Sequence, residues 1–92
     1  MRYSRLKTEG FLAEYRMEFD GEIEGTKWTK FRKKFVPQYA PGWNVRKNTL
    51  GYRRHSKVIV TFWCTEPNVL VAAPVDWDFL KATLCLHLNT QS

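Results

Sequence analysis

With Leu12 as the one exception, apolar and polar side chains alternate along residues 10–20, the spacing typical of a strand with one buried face. Asp20 and Gly21 follow at once, and this dipeptide favours the positive backbone angles of a tight hairpin turn. The turn leaves open a return strand through residues 22–24, which is weakly patterned because Ile23 is its only apolar residue. The apolar positions of the first strand are Phe11, Ala13, Tyr15, Met17 and Phe19.

Residues 26–36 carry three aromatic side chains at the spacing of one helix face. Thr26 suits the N-cap, because its hydroxyl can accept a hydrogen bond from a free amide of the first turn. Pro37 predicts that this helix ends at Val36. The same stretch is also typical of an aromatic-rich strand, so both assignments stay open. The three aromatic residues are Trp28, Phe31 and Phe35.

Residues 37–56 are dense in turn-forming residues placed around isolated aromatics. This composition predicts a long loop or irregular strands. A connection of this length inside a compact domain is usually either functional or disordered. The turn formers are Pro37, Pro41, Gly42, Asn44, Asn48 and Gly51.

Lys57–Trp63 is β-branched and aromatic on both faces, which predicts a central strand that is covered on each side. Residues 65–68 are typical of a turn. Val69–Ala73 then predicts a second strand that pairs antiparallel with the first.

Asp76 is suited to cap a last helix, which carries four apolar residues on one face. Residues 84–88 also alternate as a strand does, so an earlier end of this helix stays open. The four apolar residues are Trp77, Leu80, Leu84 and Leu88.

The order of these elements predicts one α+β domain that spans residues 1–92. It consists of an antiparallel sheet of three to four strands, two helices and a long basic loop. A chain of 92 residues is too short for two domains. Its four Trp, four Tyr and six Phe argue against intrinsic disorder.

Cysteine usage and the N-terminal sequence bear on the compartment. Cys64 and Cys85 allow one disulfide at most, whereas secreted domains that depend on disulfides usually carry more. No apolar stretch follows the basic N-terminus, so no secretory signal is expected. The longest apolar run, which begins at Val69, is too short to span a membrane. The sequence thus indicates a soluble protein of the reducing cytoplasm without a membrane partner.

Positive charge is concentrated in the middle third of the chain. The net charge is −2 over residues 1–26, +10 over residues 27–57 and −2 over residues 58–92, which gives the total of +6. The middle segment contains no Asp or Glu. Its cations therefore repel one another, and physiological salt screens this repulsion only beyond about 8 Å. A negatively charged partner would relieve it.

Aromatic residues are interleaved with these cations. Cations that neutralise phosphates beside rings that stack on bases serve sequence-tolerant binding of nucleic acid, single strands above all. We therefore expect a non-enzymatic module that binds DNA or RNA through residues 27–57, largely by backbone contacts and stacking, with its cations on one continuous face. The candidate contact residues are Lys30, Arg32, Lys33, Lys34, Tyr39, Trp43, Arg46, Lys47, Tyr52, Arg53, Arg54 and Lys57.

Other interpretations fit the same segment. The three helix rings can be ordinary core residues, with the lysines forming a solvated face. The basic face can also meet an acidic protein surface, as in a small inhibitor or adaptor of phage or mobile-element type that docks on a host nucleic-acid-processing enzyme. An anionic membrane surface is disfavoured, because the helix is short for that role. Charge alone does not separate a nucleic acid from a protein partner.

Residues with catalytic or metal-binding chemistry are few and poorly spaced. The four residues that could bind zinc lack the short gaps of a zinc site, and cysteines in apolar surroundings favour the inert thiol. Acidic pairs two residues apart are better explained by a solvated hairpin arm and a helix start. No enzyme activity, metal or cofactor is expected. These residues are His55, Cys64, Cys85 and His87, and the pairs are Glu22 with Glu24 and Asp76 with Asp78.

Overall fold

The computed structural model describes residues 2–3, 7–9, 12–52, 55–70 and 74–89. Its strands are β1 (Arg2–Tyr3), β2 (Lys7–Glu9), β3 (Leu12–Asp20), β4 (Glu22–Ile23), β5 (Asn44–Tyr52), β6 (His55–Cys64) and β7 (Leu88–Asn89). Its helices are α1 (Gly25–Lys30), α2 (Val36–Tyr39), α3 (Pro67–Leu70) and α4 (Trp77–Cys85). A π-helical segment (Phe31–Phe35) joins α1 to α2, and we call the continuous unit of residues 25–39 the long helix.

The main sheet is antiparallel, and β6 lies at its centre between β3 and β5. β3 pairs with β6 from Ala13 opposite Cys64 to Asp20 opposite Lys57. The short strands β1 and β2 both pair with β3 as well. This arrangement confirms the predicted α+β class, the first predicted strand over its described residues, and the central position of Lys57–Trp63.

Aromatic contacts hold the long helix and α4 on one face of the sheet, and Phe62 of β6 is where they meet. The Phe31 ring stands edge-on to the Phe62 ring with centroids 6.4 Å apart, and the Trp77 ring does so at 5.1 Å. Trp77 also stacks flat on Tyr15 of β3 at 4.3 Å. Side chains alternate between the two faces along each strand. Tyr15 of β3 and Val45 of β5 are opposite Phe62, so these residues and every second residue from them form the inner face, and the residues between them form the outer face.

The turn after β3 has the predicted glycine conformation, but the strand that follows the turn pairs with a different strand than predicted. Gly21 has φ +105°, the left-handed region that glycine favours. The predicted hairpin is wrong, because β4 pairs with β7, and the Gly21 N–H donates to the Ser56 carbonyl at 2.6 Å. β6 offers β3 eight paired positions and a continuous apolar face, whereas the predicted return strand has only Ile23 to bury.

Of the two alternatives predicted for residues 37–56, the long basic loop is wrong over residues 44–52, which form the nine-residue strand β5. All nine residues of β5 pair with β6. Val45 and Leu50 are its only aliphatic residues, and they point to opposite faces, so no hydrophobic period marks this strand. Hydrogen bonds to β6 stabilise the extended conformation of β5, which its own sequence does not specify.

The long helix begins earlier than predicted. Its N-cap is Glu24 instead of Thr26. The Glu24 carboxylate accepts a hydrogen bond from the backbone N–H of Thr26 at 3.0 Å and from that of Lys27 at 3.2 Å. A carboxylate at this position satisfies two free amides and interacts favourably with the positive end of the helix dipole.

The long helix also continues past Pro37 to Tyr39, so the predicted end at Val36 is wrong. In the π-helical segment, the Val36 N–H donates to the Phe31 carbonyl, five residues earlier. Proline has no N–H to donate and its ring needs room on the preceding turn. The wider π-helical turn immediately precedes Pro37 in the chain. It gives the proline ring room, so the helix continues to Tyr39.

The segment after β6 departs from the predicted second strand. Residues 67–70 form the short helix α3, and Val71–Ala73 lie outside the described residues. The Val69 side chain lies close to Gly42, where a Cβ atom would approach its Cγ1 to 2.8 Å. Gly42 also has φ +86°, so both its backbone angle and this close approach require glycine.

Helix α4 begins as predicted and takes the earlier of its two possible ends. The Asp76 side chain accepts a hydrogen bond from the Phe79 N–H at 3.0 Å, which confirms the N-cap. Leu80 and Leu84 are fully buried against the sheet. The helix stops at Cys85, and Leu88 lies in β7.

Two leucines near the end of the chain provide a matched test of the core. Leu80 is 0% exposed and Leu86 is 83% exposed. Leu80→Ala leaves a cavity and is expected to lower the free energy of unfolding by about 2–5 kcal/mol. Leu86→Ala removes the same atoms from a side chain that is already in solvent. It is expected to change the free energy of unfolding by less than about 0.5 kcal/mol. Urea denaturation measures both, and equal losses would contradict the described core.

The Glu24 cap predicts a dependence of stability on acid pH. The two backbone hydrogen bonds hold the pKa of this carboxyl below its usual range. A lowered folded-state pKa stabilises the fold above the unfolded pKa, and this contribution disappears as pH falls through the folded pKa. The stability difference between wild type and Glu24→Gln should therefore be larger at pH 7 than well below pH 4.5 in urea denaturation.

Glu22→Gln is the control for this experiment, because it removes the same charge from an exposed position outside the cap. It is expected to keep the acid dependence of the wild type. A stability difference between wild type and Glu24→Gln that is the same at pH 7 and pH 3 would show that the charged cap does not stabilise the helix.

Candidate nucleic-acid interface

The long helix presents its five cations to solvent. Phe31 and Val36 are buried, and Trp28 and Phe35 are half-buried against the core. These apolar side chains fix which side of the helix faces the sheet, so the charged residues between them point outward. We call this surface the basic helix face; its residues are Lys27, Lys30, Arg32, Lys33 and Lys34, all exposed.

The three helix rings belong to the core, which confirms the interpretation that they are ordinary packing residues. Phe31 contacts Trp28, Phe35 and Phe62 at centroid distances of 5.8, 6.2 and 6.4 Å. Phe31 itself is 0% exposed. It therefore has no surface with which to stack on a base.

Two candidate cations of the middle segment lie on the outer face of the sheet, away from the long helix. Arg46 is in register with Thr61, and its guanidinium lies 5.4 Å from the centre of the Trp63 ring. Lys57 forms an ion pair with Glu18 of β3 at 3.4 Å. Neither residue can share a flat contact surface with the basic helix face, because the sheet separates them.

Lys47 follows Arg46 in β5 and therefore points to the opposite, inner face. Its ammonium lies 5.9 Å from the centre of the Trp28 ring, on the long helix. This cation–π contact places the charge beside the basic helix face. Lys47 thus extends that face toward the strand.

Over β3, β5 and β6, the charged residues of the outer sheet face carry no net charge. Three acidic and three basic side chains alternate across β3, β5 and β6. The positive excess of the middle segment therefore lies mainly on the helix side, and the expectation that all of its cations share one face is wrong. The six outer-face residues are Glu14, Glu18, Asp20, Arg16, Arg46 and Lys57.

The candidate stacking residues of the middle segment pack against other rings. Trp43 is half-buried and meets Trp77 edge-on at 5.0 Å. Tyr39 is 37% exposed and contacts Phe35 at 6.2 Å and Phe79 at 4.6 Å. The side chain of Tyr52 and both Arg53 and Arg54 lie outside the described part of the structure.

Two positive charges of the basic helix face act on His87. Burial lowers the pKa of this imidazole, and Lys27 and Lys30 lower it further because they disfavour its charged form. The ring lies 6.1 Å from that of Phe35, between the long helix and the end of α4. Lys27 is absent from the candidate contacts derived from the sequence. It lies in the same helix as Lys30, and the helical spacing of the two residues could have identified it.

Both cysteines are free thiols that lie at least partly inside the protein. Cys64 is fully buried. Burial raises the pKa of the Cys85 thiol, which favours the unreactive protonated form. Within the described ranges, no group of three or more His, Cys, Asp or Glu side chains is placed to hold a metal ion.

Comparisons with protein-family models, with curated proteins and with solved structures find no match to this chain. Among the described residues, no helix has both the length and the apolar character needed to cross a membrane.

His87 offers a spectroscopic test of the charges on the basic helix face. Replacing Lys27 and Lys30 by Gln is expected to raise the His87 pKa, without restoring its ordinary value, because the burial remains. The pH dependence of the His87 ring signals in NMR spectra measures this pKa. Lys33→Gln with Lys34→Gln is the control and should leave it unchanged, since neither residue is among the causes of the shift. An unchanged pKa in the first variant would contradict the described position of the helix.

Proposed function

We propose that this protein binds nucleic acid, and that the basic helix face makes the contacts, chiefly to the phosphates. The observation that carries this proposal is the uninterrupted positive charge of the helix. Residues 27–34 contain five Lys or Arg and no acidic residue. In the described structure, none of the five forms an ion pair within the chain.

The charge density of the helix supports a polyanionic partner. Eight helical residues span roughly 12 Å at a rise of about 1.5 Å each. Duplex DNA carries about one negative charge per 1.7 Å of its axis, so a similar length holds roughly seven phosphates. Five cations along this length neutralise most of them and release the counterions that drive such binding.

The aromatic contacts favour recognition of the backbone over recognition of bases. Trp28, Phe31 and Phe35 serve the core, and Trp43 is held against Trp77. Tyr39 keeps an exposed edge at the end of the long helix. We therefore expect weak dependence on base sequence, with stacking on Tyr39 as a minor contribution.

Two double variants with the same loss of charge test the proposal. Lys33→Gln with Lys34→Gln removes two cations from the basic helix face, and Arg46→Gln with Lys57→Gln removes two from the outer sheet face. Fluorescence anisotropy with labelled mixed-sequence oligonucleotides gives the slope of log affinity against log salt. Removal of two phosphate contacts should reduce the magnitude of the slope by about 1.4–1.8 for the helix variant. The sheet variant should keep the slope of the wild type.

Equal effects of the two variants would show that only net charge matters, and would overturn the assignment to the helix. The absence of binding to any oligonucleotide at low salt would overturn the function itself. In that case an acidic protein surface would be the remaining partner for the same five cations.

A further inference from the structure

Strand β5 lies at an edge of the main sheet. It pairs with β6 over nine residues, and no other described strand pairs with it. An edge strand presents a row of backbone N–H and C=O groups that can pair with another extended chain. The edge shares only its neighbour Lys47 with the surroundings of the basic helix face and includes none of the five cations of that face. The inference below therefore does not depend on the proposed function.

The backbone groups that point away from β6 can be identified from one hydrogen bond. The carbonyl of Ser56 accepts from Gly21, at the end of β3, and therefore points away from β5. Ser56 is opposite Gly51 in the register, so the backbone groups of Gly51 point outward as well. The alternation then assigns an outward N–H and C=O to every second residue, namely Val45, Lys47, Thr49 and Gly51.

This edge has few of the features that usually prevent pairing. β5 contains no proline, and its register with β6 runs one-to-one from Asn44 to Tyr52 without a bulge. Such features are the common protection of edge strands. Two adjacent cations, Arg46 and Lys47, are the charged side chains that β5 carries.

The two cations determine which partner fits. They lie on opposite faces of the strand, so a guest strand meets positive charge on both of its own faces. A second copy of β5 would bring like charges into the same small area, which is unfavourable across strands. Adjacent acidic residues in a guest strand would instead pair with both cations.

We propose that β5 is a docking edge for an extended acidic segment of another protein, which adds to the sheet as a further strand. The backbone groups of residues 45, 47, 49 and 51 supply the hydrogen bonds. Arg46 and Lys47 select two consecutive acidic side chains of the guest, one on each face. This mode of recognition combines main-chain affinity with side-chain selection.

A capped nine-residue peptide tests this proposal. It alternates Thr and Val and carries a central Glu-Asp pair; the control peptide carries Lys-Lys in its place. Hydrogen exchange measured by NMR should show new protection of the Lys47 and Thr49 amides with the acidic peptide. The control peptide should bind at least about tenfold more weakly, because like charges oppose it.

Proline at position 49 separates edge pairing from general charge attraction. The Thr49 N–H points outward, so Thr49→Pro removes a bond to the guest and leaves the ladder to β6 intact. It is expected to weaken peptide binding about tenfold. Thr49→Val keeps the N–H and should bind the peptide as the wild type does. Thermal unfolding verifies that both variants fold.

Each of four results would overturn the proposal, and the last concerns a variant of the basic helix face. The first is an acidic peptide that binds without protecting the Lys47 and Thr49 amides. The second is unchanged binding by a folded Thr49→Pro variant. The third is a dimer of the wild type in sedimentation experiments that Thr49→Pro converts to a monomer, which would make a second copy the occupant. The variant with Lys33→Gln and Lys34→Gln should retain peptide binding, and its loss would assign the peptide to the basic helix face instead.

Discussion

The contact of Phe31 and Trp77 with Phe62 is the interaction on which the other features of this protein depend. It places the long helix and α4 on one face of the sheet, with centroid distances of 6.4 and 5.1 Å. Burial of large rings is the main stabilising contribution available to a domain of this size. Because these rings must face inward, the lysines and the arginine between them must face solvent. The core therefore determines the orientation of the positive surface.

The same packing separates the charges of the middle segment. Neighbouring residues of β5 point to opposite faces, so Arg46 lies near Trp63 and Lys47 lies near Trp28. On the outer face, basic residues alternate with the acids of β3, and their charges balance. On the helix side, the long helix contains no acidic residue that could balance its five cations. A segment with uniform charge in the sequence is thus divided between one strongly basic surface and one surface on which the acids of β3 offset its cations.

Strand β5 is extended because it pairs with β6, and its own sequence does not predict a strand. Its two aliphatic residues face opposite sides, and its Asn and Gly residues are typical of turns. Pairing with β6 nevertheless makes it a strand, because β6 buries its alternate residues on the inner face and needs hydrogen-bonding partners on both sides. A strand stabilised from one side retains backbone groups for a further partner. The low hydrophobicity of β5 is consistent with that exposure.

The sequence by itself determined β3 and α4, because each buries one regular set of side chains whose period is visible along the chain, and β6, because its residues are β-branched and aromatic on both faces. The sequence also determined that Asp76 caps α4 and that residues 27–57 carry the positive excess. Only the tertiary structure decided the partner of β3, the strand at residues 44–52 and the division of the cations. These depend on contacts between distant residues, such as Gly21 with Ser56, which no local pattern records. The passage of the long helix through Pro37 also required the structure, because a π-helical turn has no distinct sequence signal.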